Sequence, residues 1–77
     1  MNKQRRNLIA DVVTVLEGLK HTVEELKAEE EEYLDYMPEN LAESERAQAS
    51  QEAIDNMDYA FDNIDEAIQN LEASIEN

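Results

Sequence analysis

Tyr36-Met-Pro-Glu-Asn-Leu-Ala-Glu-Ser-Glu45 decides the fold, because Pro38 is the only proline in 77 residues and it divides two long segments rich in helix formers. A proline pushes the residue before it out of the α region, so a first helix ends near Tyr36 or Met37. Two restarts are open. Asn40 caps a second helix with Glu43 three residues on, or Ser44 caps one that begins at Glu45. In both cases the break is short, and short breaks between helices favour antiparallel hairpins. The expectation is one all-α domain over residues 1–77, with a helix over about 4–37, a turn over about 38–44 and a helix over about 45–76.

Both segments carry apolar residues at alternating spacings of three and four. In the first, Ile9, Val12, Leu16, Leu19, Val23, Leu26, Glu30, Tyr33 and Met37 follow a heptad pattern, with Glu30 the single charged member. In the second, Ile54, Met57, Phe61, Ile64, Ile68, Leu71 and Ile75 do the same. This pattern holds one face of each helix toward a partner in coiled-coil-like packing. The second helix repeats a seven-residue unit, Glu52-Ala-Ile-Asp-Asn-Met-Asp58, Tyr59-Ala-Phe-Asp-Asn-Ile-Asp65 and Glu66-Ala-Ile-Gln-Asn-Leu-Glu72. Alanines 53, 60 and 67 permit close helix approach, and Asn56, Asn63, Asn70 and Asn77 recur in register. On the first helix, Leu8, Val13, Val15 and Leu34 widen the apolar stripe beyond the seam. A lone hairpin leaves much of that stripe wet, so the pattern predicts a homodimer closing into a four-helix bundle. Opposite Glu30, the region of Ala47, Ser50 and Gln51 lacks large apolar residues, and the helices are expected to splay there.

Twenty acidic residues stand against six Lys or Arg, for a net charge of −14. Charge argues against direct binding to nucleic acid or an anionic membrane, since each is itself a polyanion. A hydrophobic share of 42% is too high for an acidic disordered tail. With no Cys and one Gly, disulfides, thiolate metal sites and phosphate-cradling glycine loops are absent from the sequence. The single histidine, His21, falls at an outward position one turn after Glu17, which suits a surface contact and cannot organise a triad. No calcium loop, inward Glu-x-x-His motif or other metal-ligand spacing is present. The sequence therefore reads as non-enzymatic, with no catalytic residue, cofactor or metal. The start, Met1-Asn2-Lys3-Gln4-Arg5-Arg6 before Leu8, lacks the uninterrupted apolar region of a signal peptide, and the expected location is the cytoplasm.

The outward edge of the first helix reads Glu17, Lys20, Glu24, Lys27, Glu31, with each charge beside an opposite one. The equivalent edge of the second reads Asp55, Asp58, Asp62, Asp65, Gln69, Glu72, Glu76, and no basic residue follows Arg46. Like charges one turn apart cost a helix about 0.2–0.5 kcal/mol per pair. Two readings are open: a carboxylate rail for a basic protein surface, or a charge that serves solubility. The rail residues Asp55, Asp58, Asp62, Asp65, Glu72 and Glu76, with outward Tyr59 as an anchor, form the candidate partner-binding site. Tyr33, Leu34, Tyr36, Met37 and Leu41 form a candidate apolar tip at the turn. Lys3, Arg5 and Arg6 lie near Glu72 and Glu76 in a hairpin and are expected to clasp them.

The stretch Tyr33-Leu-Asp-Tyr-Met-Pro-Glu-Asn-Leu-Ala-Glu-Ser-Glu-Arg46, followed by Glu52-Ala-Ile-Asp-Asn56, resembles short acidic helical proteins of Firmicutes and their phages. The resemblance implies a bacterial or phage setting and brings no site residues with it. Small acidic proteins of that setting include anti-CRISPR and other anti-defence inhibitors, some of which occupy nucleic-acid grooves. The expected function is thus a protein-binding module of phage-inhibitor type that engages a basic, nucleic-acid-binding protein surface. The alternative is an assembly adaptor that works through its apolar helix faces.

Overall fold

The computed structural model describes residues 1–41 and 44–76. Helix α1 spans Lys3–Asp35 and helix α2 spans Glu45–Ser74, with a short 3-10 turn at Glu39–Leu41 between them. The two helices pack as a hairpin, and the described residues contain no strand. The rod measures 60 × 14 × 13 Å. Its radius of gyration is 17.5 Å, against about 11–12 Å for a compact chain of this length.

Caps set the helix ends. Asn2 starts α1, its side-chain oxygen accepting from the Arg5 amide at 2.7 Å. Pro38 stops that helix as expected: the Tyr36 and Met37 amides turn back to the Glu32 and Leu34 carbonyls. Of the two restarts, Ser44 is the one used. Its hydroxyl accepts from the Ala47 amide at 3.3 Å and donates to the Leu41 carbonyl at 2.6 Å. Asn40 sits inside the 3-10 turn instead. Glu43, proposed as its capping partner, and Asn77 of the asparagine series lie outside the described residues.

The face that α2 turns toward α1 follows the heptad expectation and extends it to the turn. Ile54 and Ile68 are buried, and Met57, Phe61, Ile64, Leu71 and Ile75 are half-buried between the helices. Ala47 and Ser50 continue the same stripe and are only 4% and 5% exposed. The expected splaying is therefore not found. Small side chains let the backbones approach, and this closes the gap that large residues would otherwise fill. The Ser50 hydroxyl has no hydrogen-bond partner among the described residues.

On the first segment the seam differs from the expectation at four of its nine positions. Ile9, Leu16, Val23, Glu30 and Met37 are half-buried as expected. Val12, Leu19, Leu26 and Tyr33 are not; each is 41–51% exposed. Their places are taken by Val13, Lys20, Lys27 and Leu34. Each replacement is the next residue in sequence, so the contact line has turned by about 50° around the helix axis. In this arrangement Lys20 and Lys27 reach Asp65 and Asp58 of α2.

Two outcomes follow for stability. Ser44→Ala removes the cap and should lower unfolding free energy by about 1 kcal/mol, whereas Asn40→Ala should leave it nearly unchanged. Ser50→Ala removes an unsatisfied buried hydroxyl in a helix and should raise stability by about 1 kcal/mol. Urea titrations followed by circular dichroism measure both.

Candidate functional site

The hairpin has two unlike long edges. Along one, the Lys20 ammonium bonds Asp65 Oδ1 at 2.9 Å and the Lys27 ammonium bonds Asp58 Oδ1 at 2.7 Å. The pairs are seven residues apart on each helix, so they recur every two turns, about 10.5 Å along the axis. Lys20 also lies 5.4 Å from the centre of the Phe61 ring, within cation–π range. Beside these pairs runs a shallow groove lined by Glu24, Lys27, Ala28, Glu31, Asp58, Phe61 and Asp62. The lysines were expected on an outward ladder within α1. They act across the hairpin instead, with only 28% of each side chain exposed.

These pairs change the charge of the acidic row on α2. The hydrogen bond from Lys20 holds the Asp65 carboxyl below its ordinary range, and Gln69 adds a further bond. The bond to Asp65 raises Lys20, reinforced by the charges of Asp65, Glu17 and Glu24. Lys27 is raised in the same way, first by its bond to Asp58. Asp55 accepts a bond from Gln51 at 3.0 Å, which satisfies an oxygen without cancelling its charge. Position 13 is the third member of the lysine series, seven residues before Lys20, and it holds valine. Glu72, seven residues after Asp65, therefore has no matching lysine.

The candidate rail is thus divided between two roles. Asp58 and Asp65 line the hairpin edge and hold α1. Asp55, Asp62, Glu72 and Glu76 are exposed, and none forms an ion pair among the described residues. Tyr59 stands in this group, one turn from Asp55 and Asp62, and is 67% exposed. Asn56, Asn63 and Asn70 are exposed on the same side.

The candidate tip is divided as well. Leu34, Met37 and Leu41 are half-buried against the turn, whereas Tyr33 and Tyr36 point away, Tyr36 being 79% exposed. At the other end, the expected clasp onto Glu72 and Glu76 takes a different form. Arg6 reaches across to the Ile75 carbonyl at 3.5 Å and also bonds the Met1 carbonyl. A cation there meets the exposed carbonyls that end α2 and suits the helix dipole. Lys3 and Arg5 form no ion pair among the described residues. His21 pairs with Glu25 at 2.9 Å, one turn after it, in place of Glu17.

Among the described residues no three His, Asp or Glu side chains gather closely enough to hold a metal ion. No described helix is long and apolar enough to cross a membrane. No family model, curated protein or solved structure matches the chain.

The Lys20–Asp65 pair has a defined pH window. Asp65 binds its proton less readily folded than unfolded, so its contribution is full above the ordinary Asp range near about 3.9 and is lost as pH falls through the lower folded value. Lys20 is raised, so its contribution is full below about 10.4 and is lost as pH climbs through the higher folded value. A double-mutant cycle with Lys20→Met and Asp65→Asn should show coupling throughout this window. The coupling should shrink in high salt.

Proposed function

We propose that this chain is a non-enzymatic binding module whose outer α2 face engages a basic protein surface. The observation that carries the reading is what remains once the internal pairs are subtracted. Lys20 and Lys27 occupy Asp65 and Asp58, yet Asp55 and Asp62 stay exposed beside Tyr59, and Glu72 and Glu76 stay exposed at the far end of a segment with no basic residue after Arg46. Asp55 to Glu76 spans about 32 Å, long enough to lie along an elongated groove.

Such a row attracts a cationic surface at long range and steers it into contact. A protein that binds nucleic acid presents that kind of surface. Successive carboxylates of the exposed set are about 6–15 Å apart along the axis, against about 3.4 Å between DNA phosphates on one strand. The likeness is one of field and not of spacing. Tyr59 adds a rigid aromatic of the type that anchors interfaces. In the bacterial or phage setting that the turn-region resemblance implies, this describes an inhibitor of anti-defence type, with anti-CRISPR proteins as the analogue.

One observation favours the adaptor reading, the exposed apolar line of α1, which lies on a different face. The two readings separate experimentally. Tagged protein is used to capture partners from bacterial lysate at low and moderate salt, beside a variant carrying Asp55→Asn, Asp62→Asn, Glu72→Gln and Glu76→Gln. These four changes leave Asp58 and Asp65 to hold the hairpin. Capture of a nucleic-acid-handling protein by the parent chain, lost in the variant and with salt, is the expected result. Equal capture by both chains regardless of salt would remove the acidic face from consideration.

A further inference from the structure

The second long edge of the hairpin lacks the lysine–aspartate pairs. It carries Leu8, Val12, Val15, Leu19, Leu26 and Tyr33 on α1, each 41–60% exposed. Their spacing is again three and four, completed by Thr22 and Glu29 at the polar positions of the series. This line runs about 100° around α1 from the line that meets α2. On the same side of the hairpin, α2 contributes Ala53, Ala60 and Ala67, each half-buried. Large side chains on one helix beside a row of alanines on the other make an apolar edge with both projections and a shallow recess.

We infer that this edge is covered by a second copy of the chain, with the two α1 helices antiparallel. Area is the first argument. The chain exposes 5929 Å², about 1,100 Å² more than the roughly 4,800 Å² of a compact folded monomer of its mass. One partner in a standard interface buries about 800 Å², so such a dimer removes most of the excess. The small interior is the second: among the described residues only Val13, Ala47, Ile54 and Ile68 form the buried hydrophobic core, which is little for a chain standing alone. A second copy also fits the edge by symmetry, since a two-fold axis sets the same apolar line against itself.

Charge supplies the orientation. Lys3 and Arg5 lie at the start of α1, exposed and without an ion pair among the described residues. Glu29 and Glu32 lie near its end, on and beside the apolar line, and are exposed. Antiparallel packing brings the basic end of each copy to the acidic end of the other. Parallel packing sets Glu29 and Glu32 against their own copies, which is repulsive. In the dimer the Lys–Asp edges and the outer α2 faces remain outside, so the acidic face is displayed twice.

Sedimentation equilibrium of the intact chain at tens of micromolar should give twice the chain mass; a monomer at that concentration overturns the inference. Leu19→Glu with Leu26→Glu should abolish the dimer, and a variant that stays dimeric argues against this edge. Orientation has its own readout. Chains carrying Leu8→Cys and chains carrying Leu26→Cys are mixed and treated with a short bismaleimide. Linkage between the two variants is expected, while Leu8→Cys linking mainly to itself would mean a parallel pair and overturn the assignment. Lys3→Glu with Arg5→Glu should weaken association at least several-fold at low salt, and adding Glu29→Lys and Glu32→Lys to the same chain should restore it. None of these readouts depends on the acidic α2 face, so the binding function and the dimer succeed or fail separately.

Discussion

Helix α1 carries more apolar surface than one neighbouring helix can cover. Four heptad positions, represented by Leu8, Val12, Leu16 and Val13, form a band about 150° wide, whereas a helix facing a single core needs a stripe of about 100°. One helix must therefore leave part of the band uncovered. Lys20 and Lys27 mark the part that is covered. Each has a long apolar stem that can lie along the interface and a charged end that can reach its rim. They sit at one side of the band, and α2 offers carboxylates at matching intervals there. The hairpin closes over that side and leaves the other open.

The same choice sorts the acidic residues of α2. A row of carboxylates on one helix is unfavourable by itself, and the hairpin relieves it at Asp58 and Asp65 without adding any basic residue to α2. Gln51 and Gln69 relieve Asp55 and Asp65 further by hydrogen bonding. The charge that remains lies beside Tyr59, at Asp55 and Asp62, and at the far end, at Glu72 and Glu76. The molecule consequently has a structural edge, an apolar edge and an acidic outer face, assigned to different sides of one narrow rod.

Much of this was legible from spacing. The Pro38 break, Ser44 as one of two possible caps, and every apolar seam residue of α2 follow from local rules, because α2 has a single apolar stripe and so a single way to face inward. The seam of α1 was not legible to the same degree. Its sequence permits two overlapping stripes, and periodicity alone cannot rank them when the band is wide. The decisive signal lay between the helices: lysines at 20 and 27 matched aspartates at 65 and 58 in reverse order. Reading each helix separately paired those lysines with Glu17, Glu24 and Glu31 on their own helix. The close packing at Ala47 and Ser50 was missed for a related reason, since small residues count as weak core by volume but permit near approach of backbones.

The cross-helix contacts are nested like the teeth of a fastener. Lys27–Asp58 closes a separation of 31 residues, Lys20–Asp65 one of 45, and Arg6–Ile75 one of 69. Once the pair nearest the turn has formed, the next lies only two helical turns away, so little additional chain entropy is lost in closing it. Closure from the turn outward is then the least costly order, and opening runs in reverse. The end that holds Arg6 and Ile75 has the longest span of chain behind it and the weakest tether. Any partial opening of the hairpin begins there, where it separates the basic start of the chain from the acidic end of α2.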